Sequence, residues 1–286
     1  MSKKFQPSDK RGKKSSNPWS FLPAIRAFTL VELLVVIAII SILMTIVIPV
    51  ISKSMARSRS LKCKGNLRAI CQANMMYAAD KGWFAPAAKD IMIENKERWH
   101  GRREEMSDPF DGQHGPLAPY MGASKQIRMC PSFSKYDTSP YANQAFESSC
   151  GGYGYNRDGV GSQVYLAGRT LNALQRGMPP DAIDKPSKIV MFCDTAFALP
   201  YCEPLYLIEY SFAEPYTFVN GPNDTTGERT TPSIHYRHRG KVNVVWCDGH
   251  VTSETPQLPP VAHFSKFNIN WLGPADNSLF GGKTDD

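Results

Sequence analysis

Leu33-Leu34-Val35-Val36-Ile37-Ala38-Ile39-Ile40-Ser41-Ile42-Leu43-Met44-Thr45-Ile46-Val47-Ile48-Pro49-Val50-Ile51 carries no charge and is almost wholly apolar. As a helix rising about 1.5 Å per residue, this run is roughly as long as a bilayer's hydrocarbon core is thick. Ahead of it stands Ala24-Ile25-Arg26-Ala27-Phe28-Thr29-Leu30-Val31-Glu32. Glu32 is a lone acid at the edge of the apolar run. A carboxylate within a membrane helix costs about 2.5–3.5 kcal/mol, so it needs a partner or a purpose. Pro49 lacks an N–H and clashes with the preceding turn, so a bend is expected there.

The flanks set an orientation. Lys3, Lys4, Lys10, Arg11, Lys13, Lys14 and Arg26 face a single acid, Asp9. Cation-rich flanks stay in the cytoplasm, which puts the residues after Ile51 outside. The net charge of +7 lies almost entirely in residues 1–27. The basicity therefore needs no acidic partner beyond lipid, and no nucleic-acid partner is expected. A secretory signal would have an apolar core of about 7–15 residues and a small-residue cut site. This run is longer and ends at Pro49-Val50-Ile51-Ser52-Lys53, so the helix is expected to be retained.

Beyond the apolar run, Ile51, Met55, Cys63, Leu67, Ile70, Cys71, Met75 and Ala78 recur mostly at steps of three or four, marking one helical face. Arg57, Arg59, Lys62, Lys64 and Arg68 lie between them, and Gly82 with Pro86 is the stop. One helix over 29–80 is predicted, half in lipid and half the spine of an outer domain. Residues 81–286 suffice for one sizeable core. With 21 Gly and 22 Pro in the chain, short strands and long loops are expected. Lys188–Asp194 and Lys241–Cys247 read as strands. Asp248-Gly249 reads as a two-residue hairpin turn with both residues at positive φ. Charge marks 88–115 as an insertion loop; 211–233 reads likewise, and 274–286 as a loose tail.

Ala27-Phe28-Thr29-Leu30-Val31-Glu32-Leu33 resembles the processing site of type IV prepilins and type II secretion pseudopilins. The resemblance implies a cut between Ala27 and Phe28 by a prepilin peptidase, N-methylation of Phe28, and Glu32 as the fifth mature residue. The family usually has Gly where this chain has Ala27, and usually has a proline where Pro49 stands. In a filament, the amino group of Phe28 would pair with Glu32 of the neighbouring subunit; the alternative is a carboxylate snorkelling to the headgroups. The stretch Arg237–Val251, with His238, nine intervening residues and Asp248-Gly249, resembles the H-x9-DG domain that follows prepilin-type leaders in planctomycete-, lentisphaera- and verrucomicrobia-like bacteria. Cys63-Lys64-Gly65-Asn66-Leu67-Arg68, Cys130-Pro131-Ser132 and Tyr153-Gly154-Tyr155-Asn156 match it too.

His235, His238, Asp248 and His250 admit three readings. They could ligate a metal, they could do hydrolysis with His238 as base and Asp248 orienting it, or they could simply hold the hairpin. No HxxxH or CxxC spacing and no nucleophile elbow supports the first two, so neither metal nor catalysis is expected. Asp276, Asp285 and Asp286 lack calcium-loop spacing. Of the seven cysteines, Cys63 and Cys71 are two turns apart on one helical face and cannot bond each other. Cys193 and Cys247 read as small core residues. Cys130 and Cys150 are the pair most suited to a bridge, with Cys202 unassigned. Trp83, Trp99, Tyr153, Tyr155, Tyr165, Tyr201, Tyr206, Tyr210 and Tyr216 could instead offer sugar-stacking faces, although packing explains them as well.

The expected architecture is α+β and pilin-like. It comprises a leader (1–27), a transmembrane segment (28–51), the periplasmic half of the helix (52–80), and an outer domain (81–286) with an antiparallel sheet and the 238–249 hairpin. The expected role is structural rather than enzymatic, without cofactor. The subunit would sit in the bacterial inner membrane with its N-terminus cytoplasmic and its C-terminal domain outside. It would join other pseudopilins on a secretion assembly platform. The alternative is an anchored binding protein, possibly for glycans, that does not polymerise.

Overall fold

The computed structural model describes residues 28–123, 127–134, 147–199, 206–221 and 224–281. Ala27, the leader, Tyr201, Cys202, Asp285 and Asp286 lie outside them. The chain forms two compact units, Met1–Ile51 and Ser52–Asp286.

Helix α1 runs from Leu30 to Lys81, 52 residues through Pro49. In the first unit its apolar side chains, from Leu30 to Ile51, are all exposed, and the segment is long and apolar enough to cross a membrane. At the other end Gly82 takes φ 83° and returns its N–H to the Ala78 carbonyl at 2.8 Å. That is the left-handed stop glycine favours.

In the second unit, Cys63, Leu67, Ile70, Cys71 and Ala78 of α1 enter the main core. They meet one face of a five-stranded sheet. Its strands are β1 (Tyr153–Asn156), β2 (Val190–Asp194), β3 (Phe212–Ala213), β4 (Val242–Trp246) and β5 (Val251–Glu254). The order is β5-β4-β2-β1-β3, antiparallel except for the parallel pair β1/β3. Val245 joins the core with the helix, while Val242, Val244 and Trp246 face a second core with Tyr236, Leu272 and Phe280. The alternation of β4 thus serves two covered faces. Asn243, on the helix side, is satisfied by Ser60 and Ser253. Asn74 donates to Tyr155 Oη at 2.9 Å and accepts from the Ala85 N–H, tying helix, sheet and the following loop together.

Several expectations need correction. Residues 88–115 are not a peripheral insertion: Trp99 and Phe110 are in the interior, and Arg98 forms a buried ion pair with Glu147 at 2.9 Å. Within 211–233, β3 extends the sheet and Thr217–Gly221 pairs with Asp224–Arg229. The tail is anchored as far as residue 281. The Asn277 side chain accepts from the N–H groups of Tyr216 and Thr217, and Phe280 is buried. At Asp248-Gly249 only Gly249 has positive φ, 88°. Its N–H reaches the Trp246 carbonyl at 2.9 Å and Trp246 N–H reaches the His250 carbonyl, giving a three-residue loop closed by a left-handed glycine. The turn with two positive-φ residues lies at the other end of β4, at Arg239 (60°) and Gly240 (77°) between His238 and Lys241.

Candidate functional site

The nine-residue spacing of His238 and Asp248 is one strand with a turn at each end, so it separates the two residues. His238 opens the Arg239-Gly240 turn and faces inward. Asp248, at the far end of β4, accepts from the ring and N–H of His250, which stacks on Trp246. A His238–Asp248 dyad is therefore not formed, and the hydrolytic reading loses its orienting acid.

The fold gives His238 a different acid. Asp194, the last residue of β2, is fully buried, and its Oδ2 lies 3.2 Å from His238 Nε2. The Asn243 N–H donates to the same oxygen at 2.8 Å. Oδ1 accepts from Arg237 Nη2 at 2.7 Å and from the Cys63 thiol at 3.0 Å. Every oxygen lone pair of the carboxylate is thus engaged. Arg237 is equally committed: Nε to Cys130 Sγ at 3.3 Å, Nη1 to the Thr195 carbonyl and Nη2 to the Gly152 carbonyl.

Cys130 completes the group. The Cys130-Pro131-Ser132 segment turns back through a Phe133 N–H to Cys130 carbonyl bond, and Cys130 N–H holds the Gly151 carbonyl. This presents Cys130 Sγ 3.6 Å from His238 Nε2, while Ser132 Oγ faces His238 Nδ1 at 3.5 Å. Cys63, Cys130, Asp194 and His238 each place a donor atom within 4.8 Å of the others. Cys130 and Cys150 do not form the expected bridge. Both are free thiols, and Cys150 sits against the N–H groups of Gly152 and Tyr153 instead.

Electrostatics follow from the packing. Burial opposes charge on Asp194, but Arg237 and His238 outweigh it and hold the carboxyl down to about 2. Burial likewise disfavours imidazolium at His238, yet Asp194 and Cys130 draw it up to about 9. Contact with Cys63, then the charge of Arg237, lowers Cys130, whereas burial raises Cys63. Of the two thiols in the cluster, Cys130 is thus the more acidic and Cys63 the less.

At the amino end of α1, Thr29 and Glu32 form a reciprocal cap. The Thr29 N–H and Oγ1 donate to Glu32 Oε2 at 2.9 and 2.8 Å, and the Glu32 N–H returns to Thr29 Oγ1. This capping box gives Glu32 a local partner, and the spacing Thr29-Leu30-Val31-Glu32 was the signal for it. Phe28, just before the cap, is exposed.

Of the aromatics that could stack on sugars, Trp83, Tyr165, Tyr206, Tyr210 and Tyr216 are half-buried. Trp99, Tyr153 and Tyr155 are wholly interior.

These features fit a membrane-anchored protein with one N-terminal apolar helix and an α+β domain. The prokaryotic N-terminal methylation motif matches residues 23–48. The chain is also 41% identical over 71 residues to the type IV major pilin protein PilA of Myxococcus xanthus (strain DK1622). That match covers 25% of this chain and 32% of the relative, so the chain spans about a third of the length of the curated relative it matches. No solved structure matches the chain.

Proposed function

We propose that this chain is a pilin- or pseudopilin-like structural subunit serving a type II secretion pseudopilus or a related fibre. A prepilin peptidase cuts between Ala27 and Phe28 and the new amino group is methylated. Residues 28–51 hold the subunit in the inner membrane until assembly, and 52–286 face outward. The observation carrying this reading is the methylation motif at 23–48 together with a helix segment, Leu30 to Ile51, whose apolar side chains are all exposed. Such a helix needs lipid, or the same helices of other subunits. The relative's name, a major pilin, supports assembly into a fibre.

Glu32 is the assembly residue in this reading. Its capping bonds satisfy the helix end in the single chain. In a filament the same carboxylate meets the amino group of a neighbouring Phe28, in surroundings where an ion pair is far stronger than in water.

Two variants separate cap from charge. Glu32→Gln keeps a side chain that can close the capping box but removes the charge, whereas Glu32→Ala removes both. Both chains should be cut before Phe28, and neither should yield sheared or cross-linked fibres. Wild-type fibre yield from Glu32→Gln would reduce Glu32 to a cap and contradict the assembly role.

A further inference from the structure

We propose that Cys63, Cys130, Asp194 and His238 bind a zinc ion that clips helix α1 to the sheet. Tetrahedral zinc, at about 2.3 Å from sulfur and 2.0–2.2 Å from nitrogen or oxygen, sets its ligand atoms roughly 3.3–3.8 Å apart. Here His238 Nε2 lies 3.2 Å from Asp194 Oδ2 and 3.6 Å from Cys130 Sγ, Cys63 Sγ lies 3.0 Å from the other Asp194 oxygen, and the four ligand atoms all lie within 4.8 Å of one another, a set that closes on a metal with small side-chain shifts. All four residues are buried. Their donor set is two sulfurs, a nitrogen and an oxygen, ordinary for zinc.

Charge and surroundings agree. Two thiolates and a carboxylate carry three negative charges, which Zn²⁺ and Arg237 neutralise with His238 as neutral imidazole. The protons now bridging Cys63 to Asp194 and His238 to its neighbours occupy the places a cation would take. They leave on binding, as metal ligation requires. Outer partners are already placed: Ser132 Oγ at His238 Nδ1, Arg237 at Cys130 and Asp194, and the Asn243 N–H at Asp194. Such contacts fix ligand orientation. A cleft of about 410 Å³ bordered by Ser132, Arg237 and His238 gives access to the ring. Arg59 and Arg239 also border it, so loading is expected as the chain folds rather than afterwards. The ligands come from helix, loop, strand end and turn, so the ion would fasten four separate segments.

The test uses the full chain purified in detergent from cells grown with zinc, and from cells grown with cobalt in its place. Expected are one zinc per chain and, in the cobalt form, the visible bands of tetrahedral cobalt with thiolate-to-metal charge transfer. Cys63→Ser and His238→Gln should lose both signals. Cys150→Ser, which removes a buried thiol outside the cluster, should keep them. Ser132→Ala should hold cobalt about tenfold less tightly against a chelator. The wild-type chain decides even where variants fold poorly. Absence of metal from it, a Cys63–Cys130 disulfide in the chain isolated without reductant, or zinc undiminished in Cys63→Ser would each overturn the proposal.

Discussion

Replacing Arg237 with alanine is expected to lower stability by roughly 3–5 kcal/mol, the cost of leaving a buried charge without its partner. Asp194 and Arg237 are both fully buried at the side chain and 2.7 Å apart. Without the guanidinium, Asp194 retains a carboxylate in the core with Oδ1 stripped of its cation and only His238, at Oδ2, as counter-charge. The Gly152 and Thr195 carbonyls and the Cys130 sulfur each lose a donor as well. A loss of this size lowers Tm by roughly 10 °C in a domain of this length. Thermal unfolding of the detergent-solubilised chain by near-ultraviolet circular dichroism measures it. Lys241→Ala, nearby but exposed, should stay within about 0.5 kcal/mol of wild type. A cost below about 1 kcal/mol for Arg237→Ala would mean that the cluster does not organise the sheet end.

Trp99→Ala should be comparably severe, about 3–5 kcal/mol. The indole is fully buried, packs 4.9 Å from Phe192 and 6.1 Å from Tyr155 between ring centroids, and donates Nε1–H to the Ser211 carbonyl at 2.8 Å. Truncation leaves a cavity beside β1 and β2 and takes one of two donors from the Ser211 carbonyl, which keeps the Tyr155 N–H at 2.9 Å. Trp99→Phe keeps most of the volume and loses the hydrogen bond, so its cost should fall to roughly 1–2 kcal/mol. Equal stability of Trp99→Ala and wild type in the same unfolding assay would return residues 88–115 to the surface.

What could be read from the sequence was what depends on local pattern. The apolar run and the three-or-four spacing of Cys63, Leu67, Ile70 and Cys71 mark α1, expected over 29–80 and found over Leu30–Lys81. The strands expected at 188–194 and 241–247 are Val190–Asp194 and Val242–Trp246. Local charge misled at 88–115, because the partner that lets Arg98 enter the core is Glu147, 49 positions away. Residues 274–281 looked loose because the groups that anchor Asn277 belong to Tyr216 and Thr217. Asp248-Gly249 carried the favoured hairpin dipeptide, yet the type of turn was set by the register of β4 against β5. The cluster at His238 was the hardest to see. Cys63, Cys130, Asp194 and His238 share no spacing motif, and only the pairing of β1, β2 and β4 under the helix brings them within reach. His238 was visible as a motif residue, but its acid is Asp194, not the Asp248 that shares the motif.

Intact mass with N-terminal sequencing of the chain from its native membrane tests processing at the amino terminus most directly. Prepared with the processing peptidase present, the mature chain should begin at an N-methylated Phe28. Prepared without it, the chain should retain residues 1–27. A chain that begins at Met1 in both preparations would show that Ala27 does not support cleavage, and would contradict the assignment as a processed pilin-like subunit.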